Sequence, residues 1–244
     1  MSLRADQALV VRGLAPSRAR ARMLIEAGAV FVNGAVVDKA SRGVAEGDAV
    51  EVRGEPIPWV SRGGLKLAHG LAHFGYAAAG RVCLDIGAST GGFTDVLRQA
   101  GAVRIYAVGV GHDQLAAELR ADPRVVSLEG VNARTLSAAE LPEPVGAVVC
   151  DASFIALQTV LEAPLALAAP EAWAVALVKP QFQVGPKRVG KGGVVRDPAL
   201  HREACDAAAA WFAAQGWEVD GVTESPITGP DGNVEFLLGA RKRG

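Results

Sequence analysis

The sequence predicts an α/β fold in two parts: a parallel sheet wrapped by helices and closed by an antiparallel strand, preceded by a small α+β module. Three observations predict it. From Arg81 onward, strand-length apolar runs alternate with helix-length stretches, the pattern of a parallel sheet covered by helices. The last two strands are joined through Ser225–Asn233, a Pro- and Gly-rich connection with no helix, so the final strand returns antiparallel. Near the start, Asn33-Gly34 stands between alternating apolar residues, the strongest short-range hairpin signal.

The first module is expected over residues 1–54. Leu3, Leu9 and Val10 lie on one face of a helix over Leu3–Gly13, and a second helix runs Arg18–Ala27 until Gly28 stops it. Its polar face carries Arg18, Arg20 and Arg22. Strands follow at Ala29–Val32, Ala35–Val37 and Ala49–Val52. Pro56 and Pro58 forbid helix, so 55–62 reads as an extended linker.

The second domain, 63–244, opens with a helix containing Lys66, Leu67, Leu71 and Phe74. Strands are expected at Val82–Asp85, Arg104–Val110, Val125–Leu128, Val145–Cys150, Ala174–Val178, from Trp217, and at Val234–Gly239. Helices are expected at Phe93–Gln99 and His201–Gln215.

Composition narrows the function. A length of 244 residues with 50% hydrophobic and 21% charged residues supports one α/β domain, a small companion and an ordinary core. A net charge of -1 excludes a uniformly basic nucleic-acid binder, so any RNA contact must rest on local basic patches. Cys83, Cys150 and Cys205 lack metal-ligand spacing and are expected to be reduced thiols; no metal is expected. Met1–Asp6 carries no signal-peptide segment, and Glu162 and Pro164 interrupt the most apolar window. A cytoplasmic protein without membrane contact is expected.

The chemistry gathers around Val82–Asp95, which reads as strand, tight loop and helix start. Gly87, Gly91 and Gly92 let backbone approach a ligand, but Ala88 and Ser89 break the dinucleotide spacing. In open α/β sheets ligands sit at the carboxyl ends of the strands. Asp85, Asp151 and Lys179 fall at such ends; Glu235 starts the antiparallel strand, and Lys66 starts the preceding helix, on that same edge. Lys66, Asp151, Lys179 and Glu235 should therefore converge. Gly185–Gly192 superficially resembles a phosphate-binding loop, yet Gly192 stands where Ser or Thr must hold magnesium. The expectation is a mobile basic loop offering Lys187, Arg188 and Lys191 to an RNA backbone.

Two resemblances follow from these residues. Ser17–Gly34 resembles the S-four-like RNA-binding domain, which implies that Arg18, Arg20 and Arg22, with Arg4 and Arg62, face RNA phosphates. The segments Asp85–Asp95, Asp151–Ile155, Leu177–Phe182, Gly192–Asp197 and Ser225–Phe236 resemble the TlyA family. Its members are ribosomal-RNA ribose 2′-O-methyltransferases, often called haemolysins, with an FtsJ/RrmJ-type catalytic domain. The resemblance implies a Rossmann-like SAM-methyltransferase sheet and S-adenosylmethionine (SAM) as cofactor. It implies cofactor contacts from Asp85, Gly87, Ala88, Ser89, Gly91, Gly92, Phe93, Val110, Asn132 and Asp151. It maps a catalytic tetrad onto Lys66, Asp151, Lys179 and Glu235, with Lys179 acting as base or as the group that positions the ribose hydroxyl. The implied partner is ribosomal RNA or a ribosomal subunit, the implied acceptor cytidine; oligomeric state stays open. The chain departs from the family at Gly109, where an acid usually meets the cofactor ribose, and Asp113 is a candidate to compensate. Two other readings stand beside it: a membrane-active cytolysin, and an RNA-binding assembly factor whose methyltransferase activity is weak or lost.

Overall fold

A computed structural model describes residues 2–26, 28–53, 57–229 and 231–243. The chain divides into two compact units, Met1–Arg62 and Gly63–Gly244.

The first unit contains β1 (Ser2–Arg4), α1 (Ala5–Val11), α2 (Arg18–Glu26), β2 (Val30–Val32), β3 (Ala35–Val36), β4 (Gly43–Ala45) and β5 (Val50–Val52). β2 and β3 form the hairpin, in which Asn33 and Gly34 both take positive φ, 50° and 78°, as its tight turn demands. β5 pairs with the other side of β2. The first helix starts at Ala5 rather than Leu3. Ser2–Arg4 instead pairs antiparallel with β4, with Leu3 opposite Val44, and this long-range ladder overrides the local helical periodicity. Ala5, Leu9, Leu24, Ile25, Val30 and Val32 make a separate apolar core. Of the expected linker, Glu55 and Pro56 lie outside the described residues.

The second unit begins with α3 (Gly63–Phe74), then β6 (Val82–Ile86), α4 (Gly92–Gln99), β7 (Arg104–Gly109), α5 (Ala117–Arg120), β8 (Val125–Glu129), β9 (Val145–Cys150) and α6 (Leu157–Ala166). β10 (Ala168–Val178), α7 (Pro180–Gln183), α8 (Pro198–Ala214), β11 (Trp217–Glu224) and β12 (Phe236–Lys242) complete it. The sheet order is β11-β12-β10-β9-β6-β7-β8. β6 through β10 pair in parallel, and β12 runs antiparallel to both β10 and β11.

The central strands β6 and β9 are almost wholly buried, so they read as apolar runs interrupted in β6 only by Asp85. β10 begins earlier than Ala174, with an irregularity before Trp173 that the apolar pattern does not signal. α8 also begins early: Asp197 accepts from Ala199 N at 2.8 Å, and Pro198 opens the helix where its missing N–H is no loss. β12 begins at Phe236, which leaves Glu235 one residue before the strand, held by Ser225 N donating to its carbonyl at 2.9 Å. The carboxyl ends of the parallel strands, the start of β12 and the start of α3 thus share one edge.

Candidate active site

The loop between β6 and α4 is shaped by glycines that no other residue could replace at the same backbone geometry. Gly87 has φ 83°, and a Cβ there would lie 2.9 Å from Ala152 N. Gly91 has φ 99°, and a Cβ would lie 2.3 Å from Leu119 Cδ1. The first packs the loop against the turn after β9; the second seats it over α5. Gly92 and Phe93 open α4 and are buried, while Ser89 stays exposed with φ 48°.

Asp85 sits under this loop, wholly buried. Thr94 Oγ1 donates to its Oδ2 at 2.6 Å, whereas Oδ1 has no hydrogen-bond partner among the described residues. Burial pushes its pKa up to about 7; the Thr94 hydrogen bond opposes the rise and the Asp151 charge adds to it.

The four charges brought to the shared edge form a chain. Lys66 Nζ, on the first turn of α3, lies 2.6 Å from Glu235 Oε2 and 3.9 Å from Asp151 Oδ2. Asp151 Oδ1 lies 2.7 Å from Lys179 Nζ at the end of β10. Lys179 also donates to Ser153 Oγ at 2.6 Å and to the Asp151 carbonyl at 3.3 Å. Lys66, Lys179 and Glu235 are buried, Asp151 partly so. Gly229 closes over Glu235, since a Cβ there would lie 2.6 Å from Oε1. Beside the chain Phe154 stands 90% exposed, with φ 64° and its ring 5.1 Å from that of Phe182. No sequence signal separates Phe154 from a packing aromatic; exposure and positive φ single it out.

A small cleft lined by Ser89, Gly109, Gln114 and Glu129 opens beside the loop. Glu129 is the register partner of Gly109 on β8. Its Oε1 accepts the backbone N–H groups of Leu115 and Gln114, at 3.1 and 2.7 Å, which hold the carboxyl below the ordinary range. Oε2 lies 3.4 Å from Arg120. Asp113, the expected compensator, does not line this cleft: its side chain is 91% exposed and pairs with Arg120. Val110 is exposed in the loop after β7, and Asn132 caps a short 3₁₀ turn by accepting from Arg134 N at 3.1 Å.

The basic residues divide. Lys187 and Lys191 are exposed, whereas Arg188 pairs with Glu203. Their loop is tied down by Asn233, whose Oδ1 accepts from Val195 N and whose Nδ2 donates to the Gly193 carbonyl, both at 3.0 Å. In the first unit, Arg20 donates to the Trp59 carbonyl at 2.7 Å and to that of Ile57, so its guanidinium is engaged by the backbone rather than offered outward. Arg4, Arg18 and Arg22 gather instead on Asp6. Arg62 closes the unit. Among the described residues no cluster of His, Cys, Asp and Glu is arranged to hold a metal ion, and no helix is long and apolar enough to cross a membrane.

Comparison with known proteins gives consistent matches. The FtsJ-like methyltransferase family matches residues 59–242, and the S4 domain family matches residues 3–50. The chain is 48% identical to the 16S/23S rRNA (cytidine-2′-O)-methyltransferase TlyA of Mycobacterium tuberculosis, covering 98% of this chain and 89% of that one. It is 40% identical to Hemolysin A of Brachyspira hyodysenteriae, covering 96% and 98%. A solved structure from Streptococcus thermophilus, whose hemolysin name is itself provisional, superposes with a TM-score of 0.79 at 38% identity, covering 99% of this chain and 89% of that one.

The buried Asp85 sets a pH dependence. The fold favours its neutral form, so its contribution to stability is full below the ordinary pKa of 3.8 and is lost as pH rises to about 7. Asp85→Asn mimics the neutral acid. Its melting temperature relative to wild type is expected to be higher at pH 8 than at pH 4, a change worth up to a few kcal/mol. A difference that stays flat across that range in thermal melts would contradict the assignment.

Proposed function

Because the chain belongs to the FtsJ-like methyltransferase family, we propose that it is a SAM-dependent 2′-O-methyltransferase acting on cytidine ribose in ribosomal RNA in the cytoplasm. The observation that carries this reading is the chain of alternating charges Glu235–Lys66–Asp151–Lys179, set beside a glycine loop with an unpartnered buried carboxylate oxygen.

Residues of the loop fit the cofactor. Asp85, Gly87, Ala88, Ser89, Gly91, Gly92 and Phe93 would hold it, with Val110, Asn132 and Asp151 at the margins. The cofactor supplies, when bound, a methyl group made electrophilic by its sulfonium. The remaining requirement is to align a weakly nucleophilic hydroxyl with that carbon, and alignment alone can supply much of the rate. Lys179 suits this task as a donor: its Nζ donates to the Asp151 carbonyl and to Ser153 Oγ and lies in an ion pair 2.7 Å from Asp151 Oδ1. A ribose oxygen that takes over one of these positions is held at Nζ, where the ammonium stabilises the charge developing on it. Asp151 fixes Lys179, and Lys66 keeps Asp151 and Glu235 from facing each other uncompensated. Phe154 offers an exposed aromatic face on which the base of the target nucleotide can stack.

The test is methyl transfer from labelled SAM to ribosomal subunits, followed by nucleoside mass spectrometry. Methyl on a cytidine ribose oxygen is expected; methyl on a base would overturn the reading. Lys179→Ala is expected to fold and bind SAM nearly as wild type but to transfer methyl roughly a hundredfold more slowly or worse. Near-native turnover would remove Lys179 from the chemistry.

Gly109 lies below the family's usual acid in binding power, because Glu129 has committed Oε1 to the loop. A Cβ at 109 would have Ser89 N as its neighbour, 4.0 Å away, and the backbone there does not require glycine. Gly109→Asp is therefore expected to tighten SAM binding by calorimetry about tenfold, the worth of one charge-assisted hydrogen bond. Unchanged affinity would assign the cofactor ribose to Glu129.

A further inference from the structure

Asp6 is an anomaly in a surface meant to attract anions. It lies on the first turn of α1 with no solvent exposure, surrounded by three arginines. Arg4 Nε donates to Oδ1 at 3.0 Å. Arg18 donates to Oδ2 through both Nε, at 3.2 Å, and Nη2, at 2.8 Å. Arg22 Nε donates to Oδ2 at 3.2 Å. Burial works against ionisation, but hydrogen bonds from Arg18, Arg4 and Arg22 outweigh it and hold the carboxyl well below the usual range. Asp6 is thus an anion throughout the physiological range.

The donor geometry shows what this carboxylate does. Each guanidinium has five N–H donors in a rigid plane. Arg18 turns its Nε/Nη2 edge inward, which directs its opposite Nη1/Nη2 edge away from Asp6. Arg4 and Arg22 are each anchored by Nε alone, so their Nη groups remain available. Side chains of all three are about half exposed, and none makes another side-chain hydrogen bond among the described residues. Arg18 and Arg22 are one turn apart on α2, and Arg4 comes from the end of β1. Without a central anchor, three like charges this close would splay apart and lose side-chain entropy on being gathered again.

We propose that Asp6 is the positioning residue of a phosphodiester-binding site in which Arg4, Arg18 and Arg22 hold adjacent phosphates of an RNA strand. The proposal rests on the reading of RNA as substrate. The cluster keeps two net positive charges while its forks are pre-oriented, the arrangement that favours bidentate contact with phosphate over diffuse attraction. Arg20, on the same helix, is excluded because its guanidinium is bound to Ile57 and Trp59.

The charge of Asp6 makes the test discriminating. If attraction alone governed binding, removing this negative charge would tighten RNA binding. If Asp6 positions the arginines, removing it loosens them and weakens binding. Binding of the full-length protein to a fluorescein-labelled RNA hairpin is measured over a salt series for wild type and Asp6→Asn, with circular dichroism as a check on folding. About tenfold weaker binding is expected, with a salt slope shallower by about one for each phosphate that the loosened arginines no longer hold. Equal or tighter binding by a folded variant would overturn the proposal. Should Asp6→Asn unfold the first unit, Arg18→Lys decides: it keeps the charge and the carboxylate but removes the fork. At least fivefold weaker binding supports positioning; wild-type affinity overturns it. The assay needs no methyl transfer, so failure of the proposed activity is read separately.

Discussion

Two ammonium groups and two carboxylates occupy one largely dehydrated edge, and none of them could remain there unpaired. Glu235 is almost inaccessible, and the ammonium of Lys66 balances its buried oxygen. Removing Lys66 would leave the buried Glu235 carboxylate uncompensated, at a cost of roughly 3–5 kcal/mol, whereas Asp151, the partner of Lys179, keeps some contact with solvent. This constraint reaches through the whole second unit. It requires β9 and β10 to end together, β12 to return antiparallel so that its start meets those ends, and α3 to begin on the same edge. The neighbouring strands β12, β10 and β9 bring the charges together, and the apolar core behind them provides the rigid support.

That edge was largely legible in the sequence. Asp85, Asp151 and Lys179 each close an apolar strand run, and the helix-free connection Ser225–Asn233 implies a reversed last strand that carries Glu235 back to them. The distances between the charges were not legible, because they depend on side-chain packing between residues far apart in the chain. The same limit hid β1: Leu3 continues a helical periodicity, and only its pairing with Val44 shows that the chain is extended there. Glu129 escaped notice because nothing local relates it to Gly109, its neighbour across the strand. Asp113, nearer to Gly109 in sequence, is exposed and lies outside the cleft.

The arginines of α2 make the point most sharply. Arg18, Arg20 and Arg22 alternate along a short helix and read as one basic stripe. In the fold, Arg20 binds backbone carbonyls near residue 58, while Arg18 and Arg22 join Arg4 around Asp6. Periodicity assigns a face; only tertiary contacts assign a task. A basic patch can therefore be smaller and more ordered than its composition implies, even in a protein of net charge -1.

The central claim is that the four charges act on the ribose hydroxyl as one unit. A double-mutant cycle in single-turnover methyl transfer tests it most directly, using Lys179→Met, Glu235→Gln and the combined variant at saturating SAM and RNA, each confirmed to be folded. Groups that act as a unit are strongly non-additive. The predicted result is a double variant no slower than the worse single variant, within about threefold. Losses that multiply would show Lys179 and Glu235 working independently, and would contradict the account.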